Sequence, residues 1–152
     1  LDTSYRGDLH LWISDWKFDG EDVNEKSTEF SAVAALLRKL RHLQEDVLRI
    51  SDCNSRQTQI TCYPGNGTKY TRHLDASKGR ADSRLVTFVY YANDEPWQEK
   101  MGGQLRVFLA EGQVKDIAPV GNRLLVFQSR LIEHSVEPCY FDRYAISQWV
   151  CK

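Results

Sequence analysis

The chain has 152 residues, of which 41% are apolar and 27% are charged, and its 20 basic and 21 acidic side chains give a formal net charge of −1. These values fit one soluble globular domain with a single core, which we expect to be monomeric and to cover residues 1–152. The balanced charge gives no reason to expect a nucleic-acid partner, and no apolar run approaches the roughly 20 residues that cross a membrane.

The first third of the chain predicts a strand, a loop and a helix. Residues 9–13 alternate weakly and predict a short strand, with Trp12 as a core aromatic. Residues 15–28 are polar and rich in Asp, Glu and Lys, which indicates a surface loop. Apolar residues at three- and four-residue spacing then predict a helix over 30–50. We expect residues 1–57 to supply a strand, a lid loop and a helix that braces a sheet.

From Thr58 onward the period changes to two and turn residues become frequent. The predicted strands cover residues 58–63, 70–75, 84–91, 104–109, 123–128, 132–136 and 143–150. Many short strands with tight turns indicate a sandwich or barrel-like β core and not a βαβ fold. The sequence therefore predicts a mainly β domain with supporting helices, whose β core covers residues 58–152.

The four cysteines have neither C-x-x-C spacing nor the density of a disulfide scaffold: Cys53, Cys62, Cys139 and Cys151. Reduced thiols in a cytoplasmic protein are the favoured interpretation, with the nucleus as a further location, and paired or regulatory thiols are the alternative. The chain begins at Leu1 and not at methionine, which fits a fragment, so a missing signal peptide carries no weight.

Three side chains could converge on one metal ion. His73 and Asp75 are two residues apart and therefore point to the same side of a strand, and His134 lies in a later strand. Two imidazoles and one carboxylate leave three octahedral positions open, as a non-haem Fe(II) oxygenase requires. Zinc with three protein ligands and a water is the competing interpretation, and packed or solvated side chains without a metal are the other. The remaining histidines, His10 and His42, are interpreted as structural or exposed.

The last predicted strand carries a candidate anion-binding residue. Alternation places Arg143 on one face together with Ala145, Ser147 and Trp149. We expect residues 135–141 to fold this strand back antiparallel beside His134, so that Arg143 enters the same cavity more deeply. A guanidinium there can hold a carboxylate through two parallel hydrogen bonds, so the cavity needs an internal acid or a dicarboxylate ligand. An exposed arginine on an edge strand is the alternative.

Two tyrosines could complete this anion site. Tyr91 ends a strand and could share the carboxylate with Arg143, and Tyr63 precedes a Pro-Gly turn from which it could reach the other end of the ligand. Core packing is the alternative for both tyrosines.

Several sequence motifs resemble those of the hypoxia-inducible factor prolyl hydroxylases. They are CYPGNGTKYTRHLD at 62–75, RLVTFVYYAN at 84–93, GGQLRVF at 102–108 and RYAI at 143–146. A looser match, RGD at 6–8 followed by Trp12 and Ile13, extends the resemblance almost to the N-terminus. The resemblance covers nearly the whole chain and is far more specific than a bare H-x-D…H pattern.

The resemblance implies a double-stranded β-helix (jelly roll) dioxygenase that uses Fe(II), 2-oxoglutarate and O₂, with ascorbate as a reductant. It implies trans-4-hydroxylation of a proline in a protein substrate, in the setting of oxygen sensing. Position by position, the iron ligands match His73, Asp75 and His134, and no further catalytic residue is implied. The residues that match cosubstrate contacts are Arg143, Tyr91 and Tyr63, the pocket-lining positions are Thr87, Val89, Leu105 and Ser147, and Trp149 lies near the site.

The protein substrate does not follow from the resemblance. Collagen-type enzymes typically carry a lysine where Arg143 stands, which favours the intracellular branch. The segments 15–28 and 76–83 depart from the animal enzymes, so the substrate is either a hypoxia-inducible-factor-like protein or a Skp-type ubiquitin-ligase adaptor. Arg84 lies at the expected mouth, where it either meets an acidic substrate residue or is solvated. An oxygenase of a small molecule or free amino acid, or a non-enzymatic jelly-roll binding module, are the rival functions.

Overall fold

The computed structural model describes residues 5–14, 31–50, 55–76, 84–94 and 96–152. Within these ranges the chain forms one α-helix and nine strands. In chain order they are β1 (Leu9–Ser14), α1 (Ser31–His42), β2 (Ser55–Tyr63), β3 (Thr68–His73), β4 (Arg84–Tyr91), β5 (Leu105–Phe108), β6 (Val114–Ile117), β7 (Leu124–Gln128), β8 (Glu133–Cys139) and β9 (Arg143–Cys151). The predicted lid loop at 15–28 lies outside the described residues.

The strands form two antiparallel sheets. The larger sheet has the order β1-β2-β9-β4-β7, and the smaller has the order β3-β8-β5-β6. From β2 to β5 and again from β7 to β9, successive strands alternate between the two sheets. This winding is that of a double-stranded β-helix, so the predicted mainly β jelly roll with helical support is confirmed.

The helix α1 packs on the outer face of the larger sheet. Its buried residues Leu37 and Leu40 contact Phe88 from β4 and Ile146 and Val150 from β9. The three-residue step between the two leucines places both on the face that meets the sheet. The predicted role of the helix as a brace is therefore confirmed.

The predicted helix over 30–50 ends earlier as an α-helix than its periodicity suggests. After His42 the chain continues as a π-helical turn, Leu43–Val47. This turn carries Gln44, which is fully buried and donates a hydrogen bond to the Gln148 Oε1 atom on β9 at 2.7 Å. The Gln44 Oε1 atom accepts from Arg56 Nε on β2 at 2.8 Å. A buried polar network, and not a continued apolar stripe, joins this end of the helical segment to the sheet.

One strand was not predicted. β6 is the edge strand of the smaller sheet, and its residues are exposed or half-buried. Its sequence VKDI lacks the alternation that marks a half-buried strand, because an edge strand that buries neither face needs no apolar side. Its pairing with β5 holds it in the sheet. An ion pair between Arg106 on β5 and Asp116 on β6 supports that pairing, with Nη2 and Oδ2 2.8 Å apart.

The predicted placement of the last strand is wrong. β8 pairs with β3 and β5, whereas β9 pairs with β2 and β4 in the other sheet. The three residues 140–142 therefore cross from one sheet to the facing sheet instead of forming a hairpin. Arg143 and His134 face each other across the interior, because a chain that changes sheets brings its inward side chains together from opposite walls.

Two features bear on the setting of the fold. No helix among the described residues is long and apolar enough to cross a membrane. Cys62 and Cys139 carry free thiols, and Cys53 lies outside the described residues. Burial raises the pKa of the Cys139 thiol to about 11, which keeps it protonated and unreactive.

Candidate metal and cosubstrate site

The three predicted metal ligands meet at one end of the smaller sheet. β3 pairs with β8 in the register that sets His73 opposite His134, with ring centroids 4.3 Å apart. Asp75 follows β3 by two residues, and its Oδ1 atom lies 3.6 Å from His73 Nε2 and 3.8 Å from His134 Nε2. One donor atom from each of the three lies within 4.8 Å of the others. Atoms at these separations can bind one metal ion together.

Backbone hydrogen bonds fix which nitrogen of each imidazole faces the metal position. The Nδ1 atom of His73 lies 2.8 Å from the Thr71 carbonyl oxygen, and that of His134 lies 3.2 Å from the Ile132 carbonyl oxygen. A carbonyl oxygen only accepts, so each Nδ1 carries the proton and donates. Each Nε2 therefore presents a lone pair toward Asp75, which is the arrangement of metal-binding histidines.

A second set of contacts holds the carboxylate. The Thr87 hydroxyl on β4 donates to Asp75 Oδ2 at 2.7 Å and lies 2.8 Å from the Ser129 hydroxyl. The Arg84 guanidinium donates to the Asp75 backbone carbonyl at 3.1 Å. Thr87, predicted as a pocket-lining residue, therefore also positions the candidate metal ligand Asp75, whose Oδ2 accepts from the hydroxyl while its Oδ1 faces the imidazoles.

The electrostatics of the triad suit a divalent ion. Burial alone would raise the pKa of Asp75, but its contacts with the imidazoles of His73 and His134 and the hydrogen bond from Thr87 together lower it to about 2. Burial lowers the pKa of His134. The site therefore offers an ionised carboxylate beside a neutral imidazole, the protonation states that bind a metal.

Arg143 lies deep in the interior without an acidic partner. It is 2% exposed, and its Nε donates to the Gly103 carbonyl at 2.9 Å. Its guanidinium carbon lies 4.9 Å from the ring centroids of both Tyr63 and Tyr91. None of the ion pairs among the described residues includes Arg143. A buried cation that has two tyrosine rings and one carbonyl around it, but no carboxylate among the described residues, is stabilised by an anionic ligand.

Three further buried polar groups have no hydrogen-bond partner among the described residues. They are the Tyr91 hydroxyl, the indole Nε1 of Trp149 and the side-chain Nε2 of Gln59. Burial raises the pKa of Tyr91 despite the opposing charge of Arg143, so its hydroxyl stays protonated and can donate. Buried polar groups are nearly always paired in folded proteins, so these donors mark the surroundings of a polar ligand.

One cavity between the two sheets connects the triad to Arg143. Of the predicted cosubstrate residues, Tyr63, Thr87, Val89, Leu105, Ser147 and Arg143 line it, while Tyr91 lies behind the Arg143 guanidinium. Sequence reasoning missed four further residues of the wall, Gln59, Thr61, Tyr70 and Val136, whereas Ala145 lies on the face predicted for it. The alternation of β2 could have found the first two, since both share a face with Tyr63. Tyr70 stacks on the His73 ring with centroids 3.9 Å apart.

The mouth of the cavity differs from the prediction. Trp12 is 49% exposed and not a core residue, because β1 is the edge strand of its sheet, and its ring leans on Trp149 with centroids 5.5 Å apart. The Arg84 guanidinium carbon lies 4.1 Å from the Trp149 ring, and its Nε and Nη2 donate to Gln57 Oε1 at 2.9 and 2.7 Å. Arg84 is therefore tied to the rim and not simply solvated.

The larger sheet arranges the inward side chains of β2, β9 and β4 in cross-strand rows. The row nearest the metal position holds Thr87 beside Trp149. The following rows hold Gln59, Ser147 and Val89, then Thr61, Ala145 and Tyr91, and finally Tyr63 beside Arg143. The cavity therefore has a metal end and a guanidinium end, as a ligand that chelates an ion and carries a distant carboxylate requires.

Comparisons with known proteins agree with this geometry. Residues 58–151 match the 2OG-Fe(II) oxygenase superfamily. The chain is 37% identical over 158 residues to prolyl hydroxylase EGLN3 of Homo sapiens, an alignment that covers 95% of this chain and 58% of that protein. The chain thus spans less than two thirds of this curated relative.

Two solved structures share the fold over almost the whole chain. A Pseudomonas putida prolyl-4-hydroxylase has a TM-score of 0.77 at 31% identity, covering 100% of this chain and 75% of that one. A Trichoplax adhaerens prolyl hydroxylase, in complex with a hypoxia-inducible factor oxygen degradation domain peptide fragment, has a TM-score of 0.75 at 31% identity, covering 99% and 66%. Since the family match alone spans well over half of the residues, this chain belongs to the 2OG-Fe(II) oxygenase superfamily.

Proposed function

We propose that this chain is a prolyl 4-hydroxylase catalytic domain that depends on Fe(II), 2-oxoglutarate and O₂ and acts on a proline of a protein. The observation that carries the proposal is the pairing of two features in one cavity. An ionised, buried Asp75 faces the Nε2 atoms of two imidazoles, and a buried Arg143 lies at the other end without an acidic partner among the described residues. The triad offers ligand atoms to a cation, and the buried guanidinium is destabilising unless an anionic ligand binds it.

The residues present fit the metal and the cosubstrate that membership of the family implies. His73, Asp75 and His134 would hold the iron, and two nitrogens with one carboxylate oxygen suit Fe(II) while leaving positions open. Arg143, with Tyr91 behind its guanidinium, would hold the distal carboxylate of 2-oxoglutarate. When bound, Fe(II) and 2-oxoglutarate supply the O₂-activating chemistry that hydroxylates a C–H bond.

The chain itself contributes positioning and the exclusion of water. The carbonyl groups of Thr71 and Ile132 orient the two imidazoles, and Thr87 orients the carboxylate. Trp149 packs against Trp12 and Arg84 at the rim of the cavity, where Trp12 and Arg84 are the groups that a substrate would meet first. These fixed contacts hold the reacting groups in place before the substrate arrives, which lowers the entropic cost of reaching the transition state.

A hypoxia-inducible-factor-like protein is the substrate that we propose. The support is the Trichoplax adhaerens relative, which was solved with a peptide of that factor and is 31% identical over 99% of this chain. We also propose that residues 1–152 form one monomeric catalytic domain that works in the cytoplasm or the nucleus. The free thiols of Cys62 and Cys139 support a reducing compartment.

The test is a product assay by mass spectrometry. The purified chain is incubated with Fe(II), 2-oxoglutarate, O₂ and a peptide of a hypoxia-inducible-factor-like protein, and separately with a Skp-type adaptor and with free proline. We expect one oxygen atom to be added to a proline of the factor peptide, with equimolar succinate, and no product from Asp75→Ala. Turnover of the adaptor alone would change the substrate, and turnover of free proline alone would replace the proposal with a small-molecule oxygenase.

A further inference from the structure

Gln59 lies on the inward face of β2 with one end of its amide fixed and the other end unpaired. It lines the cavity between the sheets and is 2% exposed. Its Oε1 atom accepts a hydrogen bond from Arg6 Nη2 at 2.6 Å. Its Nε2 atom is buried and has no partner among the residues that the structure describes. Leaving such a donor unpaired is destabilising, so an acceptor from a ligand would be bound favourably there.

Arg6 acts here as a clamp and not as an anion site. Its Nε and Nη2 atoms also donate to the two carboxylate oxygens of Asp8, whose side chain is fully buried. The charge of Arg6 is therefore neutralised within the protein, in contrast to that of Arg143. Arg6, itself fixed by Asp8, holds the Oε1 atom of Gln59. The Gln59 amide therefore cannot flip, and its N–H group stays directed away from Arg6 and free for a ligand.

The register of the larger sheet places Gln59 between the metal end and the guanidinium end of the cavity. Gln59 lies opposite Ser147 on β9, one inward row from Trp149 and Thr87, which donates to Asp75. Arg143 lies two inward rows away in the opposite direction, with the row of Thr61 and Ala145 between them. In this register Gln59 is closer to the row of Thr87 than to the row of Arg143, so its amide belongs to the metal half of the cavity.

We propose that Gln59 is a cosubstrate-binding residue whose amide N–H donates to a carboxylate oxygen at the oxo-acid end of 2-oxoglutarate, while Arg143 holds the other end. This inference rests on the proposed function. It gives the cavity one neutral donor and one cationic donor at different depths. Such a pair selects an acid with a 2-oxo carboxylate and a second carboxylate at a fixed distance.

Two variants separate the donor from the rest of the side chain. Gln59→Leu removes the amide at similar volume, and Gln59→Glu keeps an acceptor for Arg6 while it replaces the donor with a negative charge. Gln113→Leu is the matched control, because that glutamine is exposed near the edge strand β6. The readout is an anaerobic titration of 2-oxoglutarate into the Fe(II)-loaded protein, followed by the charge-transfer absorption of the complex, with the Fe(II) affinity measured separately.

We expect Gln59→Leu to raise the Kd for 2-oxoglutarate by about 10- to 100-fold, as for the loss of a hydrogen bond to a charged acceptor. Gln59→Glu should raise it further, because the new carboxylate repels the ligand, and Gln113→Leu should leave it unchanged. Fe(II) affinity should stay within about twofold in all three variants, since an amide of this kind is not a metal ligand. Circular dichroism of each variant checks that it is folded, and Gln59→Glu covers the case in which Gln59→Leu does not fold.

A second ligand locates the contact along the cosubstrate. 2-Oxobutyrate keeps the oxo-acid end and lacks the distal carboxylate, so its affinity should fall in Gln59→Leu by the same factor as that of 2-oxoglutarate. A Kd for 2-oxoglutarate within about twofold of the parent value, or a loss confined to 2-oxoglutarate, would overturn the assignment of Gln59. Failure of the parent protein to bind 2-oxoglutarate at all would instead overturn the proposed function.

Discussion

Replacing Thr87 by valine tests whether the contacts behind the triad set the affinity for metal. The change keeps the shape of the side chain and removes the hydroxyl that donates to Asp75 Oδ2 at 2.7 Å and meets Ser129 at 2.8 Å. A hydrogen bond to a charged acceptor is worth about 1.5 to 3 kcal/mol, and 1.4 kcal/mol is tenfold in affinity. We therefore expect Fe(II) affinity to fall by about 10- to 100-fold, in the range found for residues that orient metal ligands.

The expected loss comes from orientation and charge stabilisation, and not from protonation. The hydrogen bond from Thr87 is one of several interactions that together lower the pKa of Asp75 to about 2, against the effect of burial. The other interactions remain in Thr87→Val, so its Asp75 carboxylate stays ionised near neutral pH. Anaerobic calorimetry with Fe(II) measures the change. Thr61→Val is the matched control, because Thr61 donates to the Ala145 carbonyl on the same wall and does not contact the triad. Equal Fe(II) affinities for the parent and Thr87→Val would refute the reasoning.

Three further changes test other parts of the account. Arg143→Lys should weaken 2-oxoglutarate binding by about 10- to 100-fold in titrations, since an ammonium cannot replace the planar guanidinium, and an unchanged Kd would contradict the role of Arg143. Gly103→Ala should lower the 2-oxoglutarate affinity by about tenfold or more, because its φ is +69° and the new Cβ would lie 2.9 Å from Arg143 Cδ. Gly112→Ala is the control: its φ is +73° but its Cβ would meet open space, so the change should cost only about 1 kcal/mol of stability. Gln44→Leu should lower the free energy of unfolding in urea by about 3 kcal/mol, because it leaves the buried Gln148 amide without its donor, and a loss below about 0.5 kcal/mol would contradict that.

Local spacing was enough to predict which side chains of the candidate site share a face. The alternation of β9 puts Arg143 and Ser147 on the inward face, as the structure shows, because the period of a strand depends only on the backbone. The side chains of His73 and Asp75 converge as predicted, although β3 ends at His73 and Asp75 lies in the bend beyond it and not on the strand. The helix that packs on the sheet was predicted for the same reason, since its apolar stripe is a local pattern.

Features that depend on long-range pairing were not predicted. Nothing in the sequence near residues 140–142 distinguishes a hairpin from a crossing between sheets, so β9 was placed beside β8. The strand β6 has no apolar alternation of its own. The local sequence predicts Trp12 as a core residue, but β1 lies at the edge of its sheet, a position that long-range pairing sets, and Trp12 is therefore half exposed. The unpaired N–H group of Gln59 could not be predicted from the sequence either, because Arg6, which binds the other end of the amide, lies 53 residues away in sequence.

The central claim is that one cavity binds an ion through three residues and a dicarboxylate through a fourth. The most direct test is a crystal structure of the chain grown anaerobically with Mn²⁺ in place of Fe(II) and with 2-oxoglutarate, in which anomalous scattering locates the metal. The account predicts metal density bonded to His73 Nε2, an Asp75 carboxylate oxygen and His134 Nε2, with a cosubstrate carboxylate paired to Arg143. Metal bound elsewhere, or a cosubstrate that leaves the Arg143 guanidinium without a carboxylate, would contradict it.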